Sequence, residues 1–173
     1  MANNGIEIYI PGYSSLNVQL ICSDYTGTLS YVGQLIEGVR ERFDKLASEG
    51  VQIRVVTSDT RKTASRELAD MPITLQSEIP SDRHDEYKLQ YLKGLGVHLK
   101  NVAVFGNGKN DKLWLEAVRD AGGLAIAVDV GEGCAVETLM SATVFVTGIT
   151  NALDLLIDKK RIIGTLRTEA DKM

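Results

Sequence analysis

Two cysteines in 173 residues leave no room for a disulfide-stapled scaffold. Cys22 falls in an apolar run, where it reads as a small core residue. Cys134 falls in a glycine-rich turn, and reduced thiols in a cytoplasmic protein are the simpler expectation. The two histidines, His84 and His98, have no partners at metal-ligand spacing and read as surface or turn residues. Trp114 is the one tryptophan, and at a helical position it reads as packing. No stretch approaches the roughly 18 apolar residues that a membrane helix needs. The segment Met1 to Gly5 lacks the basic and then apolar order of a secretory signal. Positive charge is in deficit, with 19 Lys and Arg against 23 Asp and Glu and a net charge of −4. That balance argues against a nucleic-acid backbone as the main ligand. Repeats and low-complexity linkers are absent as well. With 44% hydrophobic residues, the length suits one globular domain over residues 1–173 with a substantial core.

What the chain does contain is an alternation of strand and helix patterns. Ile6 to Ile10 alternates apolar and polar, Pro11-Gly12-Tyr13-Ser14-Ser15 is turn chemistry, and residues 17–23 read as a second strand. This predicts an N-terminal β-hairpin that feeds a central strand. Val32, Leu35, Ile36, Val39, Phe43, Leu46 and Ala47 recur at helical spacing, which predicts a helix over 31–48 ended by Gly50. Strands follow at 51–56, 73–75, 101–105, 124–128 and 143–146. Helices are expected at 61–69, 82–95 and 111–121, with a short one ending near 142. Thr150 is read as the cap of a final helix reaching towards 166. Such alternation implies parallel βαβ units with right-handed crossovers, in an α/β three-layer fold. Open sheets of this kind bind ligands at the C-terminal ends of their strands.

Three polar segments fall at such ends. Asp24-Tyr25-Thr26-Gly27-Thr28 follows the apolar run Val18 to Ser23. A carboxylate at the mouth of a strand, with a glycine turn behind it, is placed to attack phosphorus while turn N–H groups meet phosphoryl oxygens. Thr57-Ser58-Asp59 follows a second strand, and Gly106-Asn107-Gly108-Lys109-Asn110-Asp111 a third; Lys88 lies on an intervening helix. Each has a plainer reading. Asp24 could form a turn, Thr57 and Ser58 could cap a helix, and Lys88 could be a solvated lysine. Asp59 could touch a phosphoryl group or merely cap the next helix. A dinucleotide loop at Gly106-Asn107-Gly108 would want glycine where Asp111 stands. The convergence of all four segments favours the chemical reading.

In that order the four segments resemble the motifs of the haloacid dehalogenase (HAD) superfamily. More narrowly, they resemble soluble relatives of the phosphorylation domain of P-type ATPases. The resemblance covers residues 17–157. It implies a Rossmann-like HAD core without a cap domain and an aspartyl-phosphate formed on Asp24. Catalytic roles fall to Asp24, Thr26, Thr57 and Lys88, and phosphate binding to Tyr25, Gly27, Ser58 and Asn110. Asp24, the carbonyl of Thr26, Asn107 and Asp111 would hold Mg²⁺. A phosphorylated small molecule or a phosphoprotein would be the substrate, with a second copy of the chain as a conceivable roof over an open site. Such roles suit phosphoryl transfer, which needs positioning and charge compensation above all.

The chain departs from the family in three ways. Thr26 stands where most members have a second Asp that protonates the leaving group and activates water. Losing that help costs about 10²–10⁴ in rate. Asn107 stands where Asp is usual, which weakens the hold on Mg²⁺. The short stretches from Asp24 to Thr57 and from Thr57 to Lys88 leave no room for a nucleotide-binding or cap domain. The rival readings are a non-catalytic protein that binds phosphate, Mg²⁺ or a partner, and a phosphotransferase acting on a protein.

Overall fold

The computed structural model describes residues 4–170. Its centre is a six-stranded parallel sheet built from β3 (Leu20–Ser23), β6 (Gln52–Val56), β7 (Thr74–Gln76), β8 (Val102–Gly106), β9 (Leu124–Asp129) and β10 (Val144–Thr147), in the order β10-β9-β8-β3-β6-β7. The numbering leaves room for a hairpin, β1 (Ile6–Ile10) with β2 (Ser14–Val18), and a smaller one, β4 (Ser30–Tyr31) with β5 (Gln34–Leu35). The helices are α1 (Val39–Ser48), α2 (Thr63–Glu67), α3 (His84–Gly94), α4 (Lys112–Asp120), α5 (Val136–Met140), α6 (Ile149–Ile157) and α7 (Lys159–Leu166).

Strands covered on both faces need apolar side chains throughout, and β8 and the first five residues of β9 are buried without a break. Alternate residues serve two cores. Ile21, Val55 and Phe105 face Phe43 and Leu46 of α1, Leu153 and Leu156 of α6, and the buried isoleucines of β1. Leu20, Cys22, Val104 and Val56 face Leu92 of α3 and Trp114, Leu115 and Val118 of α4. The result is the expected three layers. Each fully buried large apolar side chain contributes about 1.5–3 kcal/mol. Arg42 ties α1 to α6 through paired bonds to Asp154 at 2.9 and 3.2 Å.

The chain runs outward from β3 to β6 and β7, then returns to the other side of β3 for β8, β9 and β10. The reversal falls between β3 and β8, where α/β sheets open a crevice. Ser23 lies opposite Val55 on one side and Phe105 on the other. Asp24, Thr57 and Asn107 therefore leave the sheet along one edge.

Four local expectations are corrected. The strand expected over 17–23 is two strands, because Gln19 changes partners. Its N–H donates to Asn101 and its carbonyl accepts from Gln52, whereas β2 pairs only with β1. The helix expected from residue 31 starts at Val39. Val32 and Gly33, with φ of 49° and 80°, form the two-residue reversal of the β4–β5 hairpin, and Gly38 at φ 96° breaks the path again before α1. Thr150 lies inside α6, whose start is set by Gly148. The final helix is divided at Asp158, whose ψ of 89° is not helical. Among the described residues, the insertions between strands include nothing of domain size, and no helix is long and apolar enough to cross a membrane.

Candidate active site

Lys88 is the pivot of the site. It projects from α3 into the interior, 1% exposed, and its Nζ donates to Asp24 Oδ1 at 3.1 Å and to Asp111 Oδ1 at 2.8 Å. Asn110 Oδ1 lies at 3.5 Å. The Trp114 ring lies beneath the ammonium, its centroid 5.3 Å away, where the electron-rich face adds attraction. Two carboxyl groups share this one buried ammonium. Burial pushes the Asp24 carboxyl up to about 7, Asp111 adds to the rise, and Lys88 pulls against both. Burial pulls the Lys88 ammonium down, but Asp111 and Asp24 outweigh it and raise its pKa to about 12. Lys88 thus stays charged, and Asp24 still lacks part of the positive charge it needs to ionise fully near neutral pH.

The loop after β8 supplies the opposite wall. Asp111 is fully buried, and its Oδ2 accepts the N–H groups of Asn107 and Gly108, each at 3.0 Å. With Oδ1 held by Lys88, both oxygens of Asp111 are engaged. Gly106 is required here, because a Cβ on it would lie 2.5 Å from the Asp111 side chain. Gly27, at φ 73°, is pressed in the same way against Asn107, with a would-be Cβ 2.4 Å from Nδ2. The Asn107 carboxamide is fixed at both ends: Thr28 Oγ1 donates to its Oδ1 at 3.1 Å, and its Nδ2 donates to the Gly133 carbonyl at 3.2 Å. Thr138 Oγ1 donates to the Gly108 carbonyl at 2.7 Å and braces the loop from α5.

Asp24, Thr26, Thr57, Ser58, Lys88, Asn107 and Asn110 line one open cavity of about 320 Å³, together with Ile79, Gly108 and His84. A second groove, of about 500 Å³, shares Thr26, Thr57 and Ser58 with it and runs between the β4–β5 hairpin and α2. Tyr25 lies in the core, 3% exposed; its hydroxyl donates to the Gly33 carbonyl at 3.0 Å, and its backbone N–H serves the Asp24 carboxylate. Asp59 serves as a cap. Its oxygens accept from the N–H groups of Ala64 and Ser65 and from Ser65 Oγ at 3.0, 2.9 and 2.6 Å. Burial works to raise its carboxyl, but these bonds outweigh it and hold the group below its usual range.

Sequence reasoning placed His84 on the surface, and this is corrected: the half-buried imidazole lines the cavity from the first residue of α3. The signal that could have found it is spacing. His84 precedes Lys88 by four residues, so the two share one helical face. Thr28, in sequence only part of the turn after Asp24, orients Asn107.

Among the described residues, no three His, Cys, Asp or Glu side chains group at metal-binding range. The donors around the cavity include the Asp24 carboxylate, the Asn107 and Asn110 carboxamides, the Thr57 and Ser58 hydroxyls and main-chain oxygen, with the His84 imidazole as a nitrogen donor. This oxygen-rich, sparse set fits a hard cation that keeps several waters.

Sheet order, the switch point and the Asp24–Lys88–Asp111 cluster define this chain as having the fold of the HAD hydrolases. It resembles the cobalt-bound deoxy-D-mannose-octulosonate 8-phosphate phosphatase of Haemophilus influenzae, with a TM-score of 0.65 at 16% identity over 88% of this chain and 94% of that one. The 3-deoxy-D-manno-octulosonate 8-phosphate phosphatase of Moraxella catarrhalis, solved with magnesium, phosphate and the sugar acid, gives a TM-score of 0.56 at 20% identity over 87% and 94%. No family model matches the sequence. The chain belongs to the same family as the uncharacterized protein MJ0073 of Methanocaldococcus jannaschii, with which it is 37% identical over 68 residues, 39% of this chain and 69% of that one.

Proposed function

We propose that the protein is a Mg²⁺-dependent, capless, single-domain phosphohydrolase, cytoplasmic, acting through an aspartyl-phosphate on Asp24. One observation carries this reading: a buried lysine clamps a strand-end carboxylate at the floor of an open cavity rimmed by Thr57, Asn107 and Asn110. The two phosphatases of the same fold act on a phosphorylated sugar acid, and one holds magnesium and phosphate, which supports the same reaction class here.

Asp24, the Thr26 carbonyl and Asn107 would hold the metal, with Asp111 behind them locking Lys88 and the loop. A cation held there would supply the positive charge that Asp24 lacks and offset charge on the phosphoryl oxygens. Lys88 orients the nucleophilic carboxylate and offsets charge as the phosphoryl group arrives. Thr57, Ser58, Asn110 and the turn amides around Gly27 bind the phosphoryl oxygens, while the Tyr25 amide holds the Asp24 carboxylate. Asp24 attacks phosphorus, and water later releases phosphate. Thr26, a hydroxyl without an activating base, is a poor proton donor, and the same residue type marks the phosphorylation domain of the P-type pumps. Unless another side chain supplies the proton, a long-lived phosphoenzyme is expected, with acyl and aryl phosphates cleaved faster than alkyl ones. The open site suits a phosphorylated small molecule or a phosphoprotein.

The test is phosphate release from an aryl phosphate with and without magnesium. Asp24→Asn abolishes it, and Thr26→Asp speeds breakdown of the intermediate; full activity in Asp24→Asn would overturn the mechanism. Thr26 and the neutral Asn107 favour a second reading, a non-catalytic phosphate- or partner-binding protein. Magnesium binding without turnover on a broad phosphate panel would select it.

A further inference from the structure

We propose that His84 is the proton donor to the leaving group, and so fills the role left vacant at Thr26; this rests on the phosphohydrolase reading. His84 shares its α3 face with Lys88, one helical turn away, or about 5.4 Å of rise. Side chains on a helix lean towards its N-terminus. The ammonium of Lys88 grips Asp24, and the imidazole lines the same cavity on the side from which α3 begins. Its Nε2 is covered from solvent and meets no hydrogen-bond partner. A buried polar atom left so costs about 1–3 kcal/mol, and a turn of the ring that brings Nε2 to the cavity would let an incoming ester oxygen remove that penalty. Of the side chains around this cavity, only the imidazole of His84 offers a ring nitrogen that can both give and take a proton.

The step balances without a further reagent. An Asp24 oxygen bonds to phosphorus as the phosphorus–ester oxygen bond breaks. The departing oxygen keeps the bonding pair and takes the Nε2 proton from the imidazolium. Water then attacks the aspartyl-phosphate, the Asp24 oxygen–phosphorus bond breaks, and the proton lost by water returns to the imidazole. One water is consumed, and an alcohol and inorganic phosphate are made.

A series of substituted phenyl phosphates, from dinitrophenyl to unsubstituted phenyl, tests this in wild type and His84→Gln. A proton donor matters in proportion to how poor the leaving group is. His84→Gln is expected to lose about 10²–10³ in kcat/KM on phenyl phosphate and less than about tenfold on the dinitrophenyl ester. Equal loss across the series would make His84 a structural residue and overturn the proposal. Beryllofluoride binding to Asp24, followed by Trp114 fluorescence, should be unchanged in the variant. Should His84→Gln not fold, the wild type alone decides: a shallow dependence of rate on leaving-group pKa supports a proton donor, and a steep one overturns it. A wild type inert on every ester, with Asp24 never phosphorylated, would overturn the phosphohydrolase reading itself.

Discussion

The protein has cavities at two ends, and they are built differently. Beside the β1–β2 hairpin, at the C-terminal ends of α1 and α6, lies a space of about 380 Å³ lined by Asn4, Glu7, Asn17, Lys45 and their neighbours. The covered Asn17 Oδ1 has no partner there. The strand-end cavity is slightly smaller, yet Asp24, Lys88 and Asp111 meet there within 3.1 Å and are buried by apolar layers on either side. Volume therefore does not locate the chemistry. Convergent buried charge does, because only a shared purpose repays its desolvation.

Lys88→Met would break the contrast most severely. It leaves Asp24 and Asp111 buried and unpaired, and should destabilise by about 3–5 kcal/mol in urea unfolding. Adding Asp24→Asn should recover part of that loss, and a purely additive result would deny that the trio acts as a unit. Gly106→Ala comes next. The methyl group would collide with Asp111 and should cost about 1–3 kcal/mol, visible as a lowered denaturation midpoint with weakened magnesium binding. A third probe is pH. The folded Asp24 carboxyl titrates at about 7 and its ordinary value is 3.8, so between them the folded state binds more protons than the unfolded one. Metal-free stability should fall as pH rises through that window, and Asp24→Asn should flatten the slope. The smallest effect belongs to the other end: Asn17→Val removes the orphaned oxygen and should change stability by no more than about 1 kcal/mol, with phosphate release unaffected.

Much of the site was legible because its residues sit where apolar runs end. Asp24, Thr57 and the loop from Gly106 to Asp111 could be placed by the strand patterns before them, and Lys88 by its helix. The β4–β5 hairpin was not legible, since Val32, Leu35 and Ile36 imitate helical spacing while positive φ at Gly33 and Gly38 forbids the helix. The break at Gln19 depends on a change of hydrogen-bond partner between two sheets, which no local pattern records. The double engagement of Asp111 is a tertiary fact too: its sequence neighbours suggest a metal ligand, whereas its oxygens face Lys88 and the loop amides. His84 became readable only once Lys88 was seen to point inward.

Trp114, the sole indole in the chain, lies directly under the Lys88 ammonium. Its emission is therefore a built-in optical gauge of the charge above it. Any event that redistributes charge around that ammonium should shift the spectrum without an added label, so the arrival of a cation, the formation of the acyl phosphate and its decay could each be timed by stopped-flow.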